Sequence, residues 1–239
     1  MKIIDTFWEK RNLGVSSKEI IISKSDTIEE LKKLLPQLID TEYLIVKVPS
    51  PFVYFIEYLT AEGFEFIETI IETSLDLDRF KIPIILEKIN TKVTYHEMIE
   101  FNLLFDEINK GIFNTDRIAL DSKFGIDYSS RRYINWLKDE LEKGNKIYNI
   151  ILKDTNVGFF ALKKINDEIY DNFLAGLYLN DKNFGLGFSI ITKAIEEIRN
   201  RGGKRYTTHI STNNVAVFKI YSQLGFIPQE VHYVLKKHK

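Results

Sequence analysis

The sequence predicts an α/β fold, because short β-branched runs alternate with segments of helical period along the whole chain. Two further observations agree. Apolar residues are 44% and aromatics 13% of 239 residues, which supports one main domain with a smaller companion. A strand-like run through Phe173–Leu179 also leads into Gly185, Gly187 and a helical pattern, a strand–turn–helix unit.

Taken in order, residues 1–80 read as a small α/β unit. Glu19–Ser23 is strand-like, and Asp26 or Thr27 caps a helix with acids in its first turn. A second strand, Thr41–Pro49, stops at Pro49. Pro51 opens and Gly63 closes a second helix, and Glu65–Leu77 alternates as a third strand. A boundary near Arg79–Lys81 starts the larger unit, residues 81–239. There Ile84–Ile89 reads as a strand and Thr94–Ile108 as a helix with Met98, Phe101, Leu104, Phe105 and Ile108 inward. Residues 109–127 lack any period and form the longest loop. A helix over 128–143 ends at Gly144, and two strands flank Thr155-Asn156 as a hairpin. The remaining pattern is strand, glycine turn, helix ended by Gly202-Gly203, strand over 204–210, helix over 213–224 and a final strand. No internal repeat is legible; whether the first unit is a half-copy of the second stays open.

The charge balance, 33 Lys and Arg against 34 Asp and Glu, argues against bulk attraction to nucleic acid or a membrane surface. The absence of cysteine excludes disulfides, thiol nucleophiles and cysteine-based zinc sites, and the four histidines show no metal-ligand spacing. No run of about 18 apolar residues occurs. A soluble cytoplasmic protein without metal is the expectation.

Two glycines ahead of a helix suit an anion, since glycine allows close backbone approach and a helix N-terminus offers unpaired N–H groups. Residues Phe188 and Ser189 after Gly187 exclude a P-loop, and Ile190 excludes the dinucleotide-binding glycine pattern. The stretch Lys182-Asn183-Phe184-Gly185-Leu186-Gly187 instead resembles the Gln/Arg-x-x-Gly-x-Gly loop of the GCN5-related N-acetyltransferases. Downstream, Asn214, Ala216, Tyr221 and Leu224-Gly225-Phe226 are similar to that family's closing motif, with one helix and one strand between.

The resemblance implies a mixed, mostly antiparallel central sheet flanked by helices, and transfer of acetyl from acetyl-coenzyme A to a primary amine. Leu177 and Leu179 would pair with the pantetheine arm through their backbones. Lys182 and the amides of Asn183, Phe184, Gly185, Leu186, Gly187 and Phe188 would hold the pyrophosphate. Lys182 departs from the usual Gln or Arg and cannot make a planar two-pronged contact. Asn214 would bond the arm near the thioester. Tyr221 would protonate the departing thiolate, while packing between Val217 and Leu224 is its ordinary alternative. His209, on the strand between the motifs, is open to reading as the base or as a strand histidine with its own hydrogen bond.

A looser resemblance covers Trp8, Leu13-Gly14-Val15, Gly63-Phe64, Arg117, Asp121, Tyr133 and Trp136. It points to the family's two-domain subgroup that includes TDP-fucosamine acetyltransferase, with the first unit as a wall of the acceptor cleft. The implied partner is a small-molecule amine acceptor, a nucleotide-linked amino sugar. Other amines (an amino acid, a polyamine, a drug-like amine, a protein N-terminus) and a non-catalytic acyl-coenzyme A-binding domain remain as alternatives, and the final strand is available for pairing across a homodimer.

Overall fold

The computed structural model describes residues 1–179 and 185–239. Its core is a single ten-stranded sheet: β1 (Lys2–Asp5), β2 (Ser17–Ile21), β3 (Tyr43–Pro49), β4 (Glu65–Asp76), β5 (Val93–Glu97), β6 (Lys146–Leu152), β7 (Thr155–Lys164), β8 (Ile169–Leu177), β9 (Arg205–Ser211) and β10 (Ile227–His238). The spatial order is β1-β2-β3-β10-β4-β9-β8-β7-β6-β5. Only the β2–β3 and β8–β9 neighbours are parallel, so the sheet is mixed and mostly antiparallel. Helices α1 (Trp8–Leu13), α2 (Ile28–Leu34), α3 (Val53–Ala61), α4 (Ile84–Asn90), α5 (Asn102–Asn109), α6 (Ile126–Glu142), α7 (Leu186–Asn200) and α8 (Val215–Gln223) cover it.

Strand alternation divides the core into two layers. Around β7, Phe160 and Leu162 pack with α7 and α8, whereas Phe159 and Ala161 pack beneath α5 and α6. The first half has its own apolar layer, in which Ile20, Leu44 and Val46 meet Leu31, Phe55 and Leu59 of α2 and α3. Thr27 closes a capping box with Glu30 at the start of α2.

The two halves repeat one plan, strand–helix–strand–helix–strand. The ranges Tyr43–Pro49, Val53–Ala61 and Glu65–Asp76 have the same lengths and gaps as Arg205–Ser211, Val215–Gln223 and Ile227–His238. Parallel pairing starts at Ser17↔Tyr43 in one half and at Ile169↔Arg205 in the other, which aligns β2 with β8. The repeat is hidden in the sequence because equivalent positions carry different side chains, with Gly63-Phe64 and Gly225-Phe226 as a shared pair. The halves interlock: β10 lies between β3 and β4, and β4 lies between β10 and β9. The sheet therefore runs unbroken past Arg79–Lys81, and β10, paired on both edges within its own chain, has no edge for a partner.

The structure adds β1 and α1, to which the sequence reading gave no element, and differs from that reading at the start of the larger unit and at one turn. Ile84–Ile89 is helical, not extended. Pro83 presets the backbone at its start, and Asn90 at its end bonds Glu196 and Thr192 of α7, so packing overrides the β-branched run. The stretch expected as one helix over 94–108 splits into β5 and α5, because Val93-Thr94-Tyr95 adds an edge strand to β6. The hairpin turn is at Lys153-Asp154, whose φ values of 50° and 60° suit a two-residue turn, and Thr155-Asn156 already belong to β7.

Candidate active site

Strands β8 and β9 pair over three rungs, ending at Asp171↔Thr207, and then part. Beyond that rung, β8 carries a bulge: Ala161 faces Leu174 and Leu162 faces Asn172, so Phe173 is the extra residue. A V-shaped opening results, with Asn172–Leu177 along one arm and Thr208–Ser211 along the other.

On the α7–α8 side, the vertex of the V holds a buried polar network. Tyr221 of α8 is 5% exposed, and its hydroxyl lies 3.2 Å from that of Tyr206 on β9. Tyr206 in turn donates to Asn172, whose amide is oriented so that its nitrogen gives hydrogen bonds to the carbonyls of Ala161 and Leu174, both at 2.9 Å. Thr208 donates to the Asn172 carbonyl at 2.8 Å, where a sheet bond would otherwise be made. Burial pushes the Tyr221 phenol up to about 12, so it keeps its proton across the neutral range.

The internal repeat supplies a control for this network. Positions equivalent to Asn172, Tyr206, Thr208 and Tyr221 are Ile20, Leu44, Val46 and Leu59, all buried. There β2 and β3 stay paired over five rungs, with no parting. The fold thus closes over an apolar set at these four positions, and the polar set accompanies the opened strands. A buried polar network has to be fully satisfied to be tolerated. The polar set is present in the half whose strands part and is replaced by an apolar set in the other.

On the opposite side of the same rung, Asp171, Thr207 and His209 line a cavity of about 550 Å³ with Glu72 and Ser74 of β4, Arg205 of β9 and Glu230 of β10. Thr207 donates to Asp171 at 3.2 Å, and burial raises the Asp171 carboxyl above its usual range against the pull of nearby His209. His209 stands 4.0 Å from Glu72 with its side chain more than half exposed. Asp171 and Asn172 thus place adjacent residues on the two faces of the vertex.

Each glycine of the turn has a local cause. Gly185 caps α7 with φ 81°, a left-handed conformation that other residues resist. Gly187 lies against α8: a Cβ there would sit 2.6 Å from Ile220 Cδ1. Leu186 is core and Phe188 is partly buried beside it, so any contact these residues make to an anion is through the backbone. The first turn of α7 carries no acid, whereas α2 begins with Glu29 and Glu30. Of these two helices, α7 is the one whose first turn does not repel an anion. Lys182, Asn183 and Phe184 lie outside the described residues.

Leu177 ends β8 opposite Gly158. The Leu179 N–H, expected to face a pantetheine arm, donates instead to Glu107 Oε2 at 2.7 Å, because α5 brings that buried carboxylate to the end of β8. Asn214 caps α8 through Val217 N at 3.2 Å. Arg117 and Asp121 make no ion pair with each other. Arg117 lies between Glu19 and Glu68, and Asp121 holds Lys236 and His238. Tyr133 and Trp136 stack with Phe113 and Phe173. Sequence reasoning missed Asp171, Asn172, Tyr206 and Thr208. The signal available was polar residues at inward positions of two otherwise core strands.

A parted parallel pair, a bulged strand at the vertex and a helix entered through a glycine turn make up one known arrangement. The chain has the GCN5-related N-acetyltransferase fold. A GCN5-related N-acetyltransferase from Sphaerobacter thermophilus superposes with a TM-score of 0.60 at 8% identity, covering 93% of this chain and 73% of that one. A tandem GNAT protein from the clavulanic acid biosynthesis pathway gives 0.58 at 12% identity, covering 94% and 76%. In sequence, the chain is 30% identical to the mycothiol acetyltransferase of Corynebacterium efficiens over 84 residues, 35% of this chain and 28% of that protein. The match therefore spans under a third of that relative's length. No family model matches the sequence.

Proposed function

We propose that this protein transfers an acetyl group from acetyl-coenzyme A to the primary amine of a small-molecule acceptor. The observation that carries the reading is the polar network at the vertex, present in the half whose strands part and replaced by Ile20, Leu44, Val46 and Leu59 in the half whose strands do not. The similarity to acetyltransferases in fold, and over a short stretch in sequence, supports it.

The residues present fit the coenzyme. Gly185 and the first N–H groups of α7, Leu186 to Phe188, would receive the pyrophosphate together with Lys182, Asn183 and Phe184. The arm would lie in the V beside Leu177, with Asn214 at the start of α8 near its reactive end. Glu107 has to yield the Leu179 N–H if that residue is to pair with the arm. Bound there, acetyl-coenzyme A supplies a thioester activated toward amines. Tyr221, held by Tyr206, keeps its proton until sulfur leaves and then gives it up. The acceptor enters from the cavity face, where Asp171, Glu72 and Glu230 favour a cation. A nucleotide-linked amino sugar is the second reading for the acceptor, favoured by Arg205 and His209 in the same cavity. The first half serves as one wall of the acceptor cleft.

Release of free thiol from acetyl-coenzyme A, followed with a panel of amines, tests the reaction. Amine-dependent release that the Tyr221→Phe variant loses is expected. Binding of acetyl-coenzyme A without transfer to any amine would replace the enzyme with a binding domain.

A further inference from the structure

The acceptor cavity has a filled counterpart in the other half of the molecule, and its occupant shows what chemistry the position takes. Through the repeat, Asp171 corresponds to Glu19, His209 to Lys47 and Glu230 to Glu68. In the first half these positions are closed by the chain itself. The Arg117 guanidinium, from the aperiodic segment between α5 and α6, sits 3.6 Å from Glu19 and 3.8 Å from Glu68, and Lys47 approaches Glu19 at 2.8 Å. Ile118, beside Arg117, is fully buried against Tyr43, Ile45 and Val234, so the segment plugs this face as a unit.

The second half keeps the acids and lacks the plug. Asp171 and Glu230 line an open cavity and are joined by Glu72, which stands where the first half has Val234. Three carboxylates thus face Arg205 and two histidines, His209 at 4.0 Å from Glu72 and His232 at 3.9 Å from Glu230, the latter with its pKa lowered by burial. A carboxylate pair left open where its twin is neutralised by an internal guanidinium is a receptor for an external cation.

We infer that the cavity binds the distal cationic group of the acceptor, so that the substrate class is a small molecule bearing a primary amine and a second ammonium or guanidinium group, without phosphate. This rests on the acetyl-transfer reading, and it names the acceptor for that reaction. The second cation is held by Glu230 and Glu72, while the reacting amine lies at Asp171 beside the vertex. In the transfer, the ammonium gives one proton to Asp171 and the neutral amine forms the C–N bond to the thioester carbon. The C–S bond breaks, sulfur takes the Tyr221 proton, the second amine proton leaves to solvent, Tyr221 is reprotonated from solvent, and Asp171 returns its proton to solvent. The products are the acetamide and free coenzyme A, with one net proton released.

The experiment uses the full chain and agmatine, which carries a guanidinium and a primary amine, as the probe. Its binding is measured by calorimetry, with coenzyme A titrated separately. Saturable binding of agmatine is expected. The variant Glu72→Gln with Glu230→Gln should weaken it about tenfold or more while the coenzyme A affinity stays unchanged. Glu230→Arg, which rebuilds the first half's internal guanidinium, should abolish agmatine binding with unchanged melting temperature. No agmatine binding, binding indifferent to these substitutions, or tighter binding of a nucleoside-diphosphate amino sugar than of agmatine would each overturn the inference. Loss of coenzyme A binding in the unsubstituted chain would sink the acetyl-transfer reading and leave the agmatine result to stand by itself.

Discussion

At the scale of single residues, burial raises the pKa of both Tyr221 and Asp171. The Tyr221 phenol is pushed up to about 12 by its surroundings, so it stays a proton donor well past neutrality. Tyr221→Phe keeps the ring packing against Tyr206 and Phe226 and removes the proton. We expect kcat to fall by about 10²–10⁴-fold with coenzyme affinity preserved; turnover within a factor of two of the parent would remove Tyr221 from the reaction. Asp171 has a raised pKa from burial, opposed by His209 and Thr207. A carboxyl with a higher pKa in the folded state than in the unfolded chain binds more protons when folded. Its contribution to stability is therefore greatest below the unfolded value and falls as pH rises through the folded one. Asp171→Asn should thus raise the melting temperature at pH 7–8 relative to the parent and leave it unraised near pH 3, while weakening acceptor use. Equal melting shifts at both pH values would show that the carboxyl is not strained by burial.

At the scale of elements, the meeting of α7 and α8 explains a glycine that the sequence offered as a phosphate contact. The predicted consequence of Gly187→Ala is overpacking against Ile220 at a cost of about 1–3 kcal/mol. Ile220→Val, which deletes the clashing Cδ1, should return part of that loss in the double variant, a coupling that equilibrium unfolding measures. Purely additive losses would place the strain elsewhere. Much of this region was legible: among the described residues the strand, helix, strand and helix between Phe173 and Leu224 form, with shifts of a few residues at their ends. Tyr221, singled out by the resemblance, is buried on the inward face of α8. What stayed illegible was long-range. The helical Ile84–Asn90 depends on bonds from Asn90 to residues more than a hundred positions away, and Arg117 and Asp121 find partners on β2, β4 and β10 that no local pattern announces. Asn172 and Tyr206 carry meaning only once the parting of β8 and β9 is known.

At the scale of the whole molecule, the exchange of β4 and β10 binds both halves into one sheet. Each final strand is covered on both edges, and β10 of the second half completes the first. We predict a single calorimetric unfolding transition for residues 1–239, and a fragment of residues 1–80 that does not fold unless residues 81–239 are supplied with it. Two separated transitions would show that the halves are energetically independent despite the shared sheet. The duplicated plan holds a sealed and an open version of the same position: the first half fills it with Arg117 and four apolar residues, and the second leaves a cavity there. The central claim is that the opened half binds acetyl-coenzyme A, and titrating that compound into the purified chain by calorimetry tests it most directly. The account predicts one saturable site per chain with an affinity between about 1 μM and 1 mM, the usual range for enzyme substrates; no heat of binding up to millimolar concentration would contradict it.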